Sequence, residues 1–263
     1  MSEFWHSTAL PHLESRRSCK ENTCYKQHTH ERFSIGLIDA GTTVFSGASN
    51  ESLELSATDV IIIPAGHVHA CNPEHGTWTY QMINADQAWI ASLLPAETSL
   101  LDGIHVYKSP RTYEGFSAAN ELLFSNASSA EITEGLKQAF NRCTETKPSH
   151  VLTARTDAEL LARLAPVLEK LRQDEQNPVL EELAAIAGMS KYQLIRSMKR
   201  STGLSPIAWR HNQRVITARG MLRLGNSLAD TAHILGFVDQ SHFHRVFRAH
   251  VAASPGSYRS DPQ

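Results

Sequence analysis

Two clusters of histidine stand out among the chemically able residues of this 263-residue chain. One is "HTHERFS", residues 28–34, and the other is "SHFHRVFRAH", residues 241–250. Each holds a His-x-His, which can grip a metal only if both rings reach one point. On an extended segment residues i and i+2 share a face, so His28 and His30 would point the same way. On a helix of roughly 100° per residue, His242 and His244 fall about 160° apart. Chelating pairs on a helix sit at i, i+3 or i, i+4 instead. The upstream pair can share a ligand and the downstream pair is a poor metal site.

The elements that must carry these residues differ as well. Residues 24–83 read as short strands: "FSIGLID", "TTVFSG", "SLEL", "DVIIIP" and "TWTYQMI", separated by turn signals at Asp39–Gly41, Gly47–Asn50, Ala65–Gly66 and Asn72–Pro73. Many short strands at close spacing predict an all-β barrel or sandwich. From Asp86 the pattern turns helical. Ser128-x-x-Glu131 is a capping box, and Ile132, Leu136, Ala139, Phe140 and Cys143 follow at helical spacing. With residues 113–124 this helix makes a hairpin whose apolar face either covers the barrel or pairs two copies. "TETKPSHVLTARTD" is polar, contains Pro148 and has no period, and predicts a linker over 147–156.

"DVIIIPAGHVHACN" resembles the second cupin motif, P-x-G-x-x-H-x-x-N, through Pro64, Gly66, His69 and Asn72, and "HTHERFSIGLIDAG" resembles the first in part. The resemblance implies a cupin-like barrel in which His28, His30 and His69 could hold a divalent metal with an open coordination position. A metal-binding cupin would offer a Glu where this chain has Ser34 and Ile35, and Glu31 comes too early. Three occupants follow. The residues line a pocket for an organic effector, together with Trp78 and Tyr80. Or they hold a sensed or structural metal, with His67 and Cys71 nearby widening the choice. Or the barrel is a metal-dependent enzyme, which the missing Glu disfavours.

Beyond Asp157 the chain predicts helix throughout, and it repeats. "LEELAAIAGMSKYQLIRSMKRSTGLSPIAWR" from Leu180 resembles "LADTAHILGFVDQSHFHRVFRAHVAASPGSYR" from Leu228. Gly188 matches Gly236, and after one inserted residue Leu194, Met198, Pro206 and Trp209 match Phe243, Phe247, Pro255 and Tyr258. Each copy reads as helix, glycine turn, helix, with Ser190 and Asp239 placed to cap the second helix. That is helix-turn-helix grammar. "SPIAWRHNQRVITARGMLRL" joins the copies as one long helix of about 28 Å, near the one-turn spacing of successive major grooves. On the second helices, Phe243, Val246 and Phe247 form the buried stripe. The polar faces carry Lys191, Tyr192, Gln193, Ile195, Arg196 and Lys199 in one copy, and Gln240, Ser241, His242, His244, Arg245 and Arg248 in the other. Arg can pair with guanine and Gln with adenine.

"GFVDQSHFHRVFRAHVAASPGSYR" resembles the signature of AraC/XylS-type bacterial transcription regulators. The likeness covers about residues 157–260. It implies two helix-turn-helix units joined by a long helix, with base readers at Tyr192, Ile195, Arg196, Gln240, Ser241, His242, His244 and Arg245. It departs at Ile195, where a polar reader is usual, and at Val251-Ala252, where a Gly is usual.

Charge agrees with this division. Residues 1–156 hold 11 Lys and Arg against 17 Asp and Glu, and residues 157–263 hold 14 against 10. A basic C-terminal half suits an anion such as DNA. No apolar run reaches a membrane span, no signal peptide opens the chain, and four scattered cysteines (Cys19, Cys24, Cys71, Cys143) predict free thiols in a cytoplasm. The expectation is a two-domain chain: residues 1–146 a cupin-like effector-binding domain with its helical hairpin, also the candidate for homodimer contacts, 147–156 a linker, and 157–263 an all-α DNA-binding domain. Its partners would be double-stranded operator DNA, a small-molecule effector and, for an activator, RNA polymerase. No catalysis and no certain cofactor are expected.

Overall fold

The continuous apolar run "DVIII" has two destinations. In the computed structural model, which describes residues 2–7, 9–21, 26–47, 52–73, 76–95, 97–125, 127–153, 157–174 and 177–259, it is a strand buried on both faces. Val60 and Ile62 pack outward under two helices, while Ile61 and Ile63 pack inward against a second sheet. The strands are β1 (Ser2–His6), β2 (Leu13–Glu21), β3 (Phe33–Ala40), β4 (Thr42–Gly47), β5 (Ser52–Ser56), β6 (Asp59–Ile63), β7 (His69–Asn72), β8 (Thr77–Ala85), β9 (Gly103–Lys108) and β10 (His150–Thr153). One sheet runs β1-β2-β8-β3-β6-β9-β10, and the facing sheet runs β5-β4-β7. Every pairing is antiparallel. Along β8 the period-2 rule sorts Trp78, Tyr80 and Met82 between the sheets and Ile83 and Ala85 to the outer face.

Between β8 and β9 lies α1 (Gln87–Leu93), whose first turn is capped by Asp86. After β9 come α2 (Pro110–Phe124) and α3 (Ser129–Glu145), with the Ser128–Glu131 capping box formed. The apolar face of α3 is spent on the large sheet: Ile132, Leu136, Ala139, Phe140 and Cys143 share one core with Phe33, Ile35 and Leu37. Those residues leave no apolar face for pairing two copies.

Two expectations need correction. The segment expected to be a linker, 147–156, contains β10, which pairs with β9 from His150↔Val106 to Thr153↔Gly103. β10 is an edge strand, with His150, Val151 and Thr153 exposed to water. Residues 154–156 of that segment lie outside the described residues, as do Cys24 and residues 48–50 of one turn signal. Cys19, Cys71 and Cys143 are free thiols. Second, "HTHERF" is not a regular strand: His28 makes a single bridge to His69, and His30 lies in a loop. No helix of the described residues is long and apolar enough to cross a membrane.

The helical half contains α4 (Ala158–Gln173), α5 (Leu180–Ile186), α6 (Lys191–Thr202), α7 (Pro206–Arg223), α8 (Leu228–Ile234), α9 (Gln240–Val251) and α10 (Pro255–Arg259). Gly188 and Gly236 take left-handed backbone (φ 61° and 65°), which a glycine adopts at little cost and which ends α5 and α8. Ser190 caps α6 through the amide of Gln193, and Asp239 caps α9 through that of His242. At 18 residues, α7 spans about 27 Å at 1.5 Å per residue. Two cores result: one under α6, with Leu194, Met198 and Trp209, and one under α9, with Phe243, Phe247 and Tyr258. Ala252 takes the left-handed position (φ 52°) where the signature has Gly.

Candidate functional site

The second helices of the two copies present matched faces. On α6, Lys191, Tyr192, Gln193, Arg196 and Lys199 are exposed and Ile195 is half-buried. On α9, Gln240, Ser241, Arg245 and Arg248 are exposed and His242 and His244 are half-buried. Several are not free to act as their side chains suggest. Gln193 Oε1 accepts from the Ser190 amide (2.8 Å) and closes a capping box. Lys191 forms an ion pair with Glu181 of α5 (2.5 Å). His242 turns inward, its ring 5.5 Å from Phe237 and 5.8 Å from His211. Tyr192 is 77% exposed, unusual for a ring of that size.

The upstream histidines converge even though they are not on one strand. His28, His30 and His69 have ring centroids 4.6–4.9 Å apart, and one ring nitrogen from each lies within 4.8 Å of the others. His28 and His69 are aligned by reciprocal backbone hydrogen bonds (3.0 and 2.9 Å). A carbonyl can only accept, so His28 Nδ1 donates to Lys26 O (2.8 Å) and His69 Nδ1 to His67 O (2.9 Å). This places the lone pair of both rings at Nε2. Burial holds His28 and His30 well below the usual imidazole range and brings His69 down to about 4. All three are therefore neutral near pH 7. His67 and Cys71 do not join the cluster, and burial pushes the Cys71 thiol up to about 12. The donor set is three imidazoles without a carboxylate, which fits a borderline metal such as zinc in an open site.

The trio itself lines a cavity of about 80 Å³ that lies between the two halves of the molecule. The β half contributes Ile38, Trp78, Tyr80 and Met82, and the helical half contributes Val215, Ile216, Arg219 and His250. The indole N–H of Trp78 is buried and meets no hydrogen-bond acceptor among the described residues.

Around the cavity the halves are joined by contacts that no local sequence pattern announces. Glu14 of β2 takes ion pairs from Arg219 and Arg223 of α7 and a hydrogen bond from the Tyr258 hydroxyl (3.0 Å). Burial alone would raise the Glu14 carboxyl, but Arg219, Arg223 and Arg32 outweigh it and bring it down to about 2. Thr29, between the two histidines, exchanges hydrogen bonds with Asn212 of α7: its N–H donates to Oδ1 (3.0 Å) and its Oγ1 accepts from Nδ2 (2.7 Å). Arg16 donates to the Val251 carbonyl at the end of α9 (2.5 Å). Val68, one residue before His69, sits in the core under α6.

Two family models match, the AraC-like ligand binding domain over residues 10–141 and a helix-turn-helix domain over residues 183–261. The chain belongs to the AraC family. Among curated AraC-type relatives, the transcriptional activator NphR of a Rhodococcus species is 36% identical over 104 residues, 39% of this chain and 30% of NphR. In NphR and two further curated regulators the match spans only 24% to 37% of their length. The uncharacterized HTH-type transcriptional regulator YbfI of Bacillus subtilis is 25% identical and covers 88% of this chain and 86% of its own. The fold is also that of ToxT from Vibrio cholerae, solved with an unsaturated fatty acid bound, at 12% identity and a TM-score of 0.56 over 94% of both chains. The AraC ligand-binding model thus ends within α3 and the helix-turn-helix model opens within α5, leaving β10 and α4 between them.

Proposed function

We propose that this AraC-family chain is a sequence-specific DNA-binding transcription regulator, controlled by a small molecule held in the cavity between its halves. The observation that carries the reading is the ownership of that cavity: α7, the helix that spaces the two reading helices, forms one wall, and the ligand-binding domain forms the other. A ligand there touches the DNA-binding half directly. An engineered apolar cavity of about 150 Å³ admits benzene, so 80 Å³ is too small for most organic effectors without movement. Entry must shift α7 or the β half, and the ligand moves the equilibrium only as far as its affinities for the two arrangements differ. The lining suits an apolar or aromatic body, with a polar group near Trp78 and Arg219.

Lys and Arg supply salt-sensitive affinity through phosphates, and Arg196 and Arg245 lead the base readers. One chain carries two reading helices, so one copy suffices for two half-sites. RNA polymerase is the further partner if the bound protein activates. The relatives named above are described as regulators, and we assign the chain no reaction.

The test is selection of binding sites from random duplexes with the full chain. The expected result is an enriched pair of short half-sites about 10–10.5 bp apart, centre to centre. Retention of DNA without sequence enrichment would overturn the reading.

A further inference from the structure

The three histidines sit at the joint between the halves, and each is tied to it by a neighbour. Thr29, flanked by His28 and His30, is the partner of Asn212 on α7. Val68, beside His69, fills the core under α6, where a Cβ on Gly203 would come within 2.6–2.9 Å of it. His30 itself meets α7, its Nδ1 lying 3.5 Å from Nη1 of Arg219. We propose that His28, His30 and His69 bind one divalent transition metal of the zinc, cobalt or nickel class, and that this metal opposes the docking of α7 onto the β domain.

The donor geometry supports the site. A tetrahedral ion with bonds of about 2.0–2.1 Å needs ligand nitrogens about 3.3 Å apart. Here they lie within 4.8 Å, so small ring movements complete the set. The backbone carbonyls that accept from Nδ1 of His28 and His69 orient those rings as the outer partners of metal-bound imidazoles do.

The opposition follows from Arg219. A guanidinium only donates, so at His30 Nδ1 it needs a lone pair. If a metal takes Nδ1, it competes with Arg219 for that lone pair. If it takes Nε2, the neutral ring carries its proton on Nδ1 and points an N–H at the N–H of Arg219. Either way the metal and the Arg219 contact exclude one another. Arg219 also holds Glu14, so displacing it disturbs the main charged tie between the halves. Coupling is reciprocal: whatever the metal does to α7, α7 does to metal affinity.

The experiment uses the untagged full chain, stripped with chelator and titrated with cobalt(II), read by visible absorption, and with zinc, read by calorimetry. The expected results are one ion per chain, at least tenfold weaker binding in His69→Gln, and at least fivefold tighter binding in Arg219→Met. Absence of saturable binding below millimolar metal, or wild-type affinity in His69→Gln, would overturn the site; His28→Gln supplies the same comparison if His69→Gln does not fold. Equal affinities in wild type and Arg219→Met would overturn the coupling. If Arg219→Met does not fold, amide exchange along α7 in the wild type decides: faster with zinc is expected, and no change overturns it. Failure of this site and failure of the DNA reading are distinguishable, because the site selection, repeated with chelator present, reads DNA sequence preference without the metal.

Discussion

Arg196 and Arg245 occupy the same helical place in the two copies, both exposed and neither in an ion pair among the described residues. Their neighbours are less available. Gln193 is bound into a cap, and His242, its counterpart on α9, is packed against Phe237 and His211. This separates readers from helix-builders. Arg245→Ala should cost about 1–3 kcal/mol at the selected site and relax preference at one or two base pairs. His242→Ala should leave the preference intact. Titration of both variants against a panel of single-base site changes checks the distinction. If Arg245→Ala weakens every site equally, its role is a phosphate contact. Gln193→Ala should act on stability, costing less than the roughly 0.5–2 kcal/mol of a lost N-cap, because Ser190 still accepts from the residue 193 amide.

At the scale of elements, Gly203 ends α6 in the left-handed region (φ 73°) with Val68 of the β6–β7 loop against it. Gly203→Ala should destabilise by about 1–2 kcal/mol through the backbone alone, and further through the clash with Val68. Val68→Ala removes Cγ1 and Cγ2 but keeps Cβ, 2.7 Å from the added atom, so it should relieve only part of the clash and none of the backbone cost. A double-mutant cycle by denaturant unfolding measures this, and strict additivity would show that the loop does not dock there in solution. The elements themselves were legible wherever a local rule acts. Alternating rows marked β3 and β8, and a continuous apolar run marked β6. The capping residues Ser128, Ser190 and Asp239 marked helix starts, and Gly188 and Gly236 marked the turns of a duplicated unit. The strands β1, β2, β9 and β10 were not legible: β1 and β10 are sheet edges, β2 is polar, and β9 and β10 fall within stretches read as helix and linker. The trio was legible as residue types, but its convergence comes from a bridge between His28 and His69 rather than from a shared strand face. Glu14, Asn212, Arg219 and Tyr258 carry no local signal: Glu14 and Tyr258 are 244 residues apart.

For the whole molecule, those distant contacts decide how the halves behave together. Docking leaves the exposed readers of α6 and α9 open, so the joint does not act by covering them. It acts on how firmly α7 and its two flanking units are held. Glu14 is the charged centre of that hold. Its carboxyl lies at about 2 in the folded chain against 4.5 in its ordinary state, so its contribution is fully present above pH 4.5 and is lost as pH falls toward 2. A shift of that size corresponds to roughly 3 kcal/mol. The buried histidines have depressed values too, so their protonation in the unfolded chain already erodes stability below pH 6.5. Wild-type stability should therefore fall in two stages as pH drops. Glu14→Gln should keep the first and lack the second, starting from a lower plateau because two arginines lose their buried counter-charge. Denaturant unfolding from pH 7 to pH 3 checks this. The same variant tests how the joint reaches DNA. A loosened α7 leaves each reading helix intact but adds freedom that simultaneous binding must remove. Glu14→Gln should thus weaken binding to a duplex carrying both half-sites by more than it weakens binding to a single half-site. Equal loss on the two duplexes would mean that the joint does not govern the spacing of the readers.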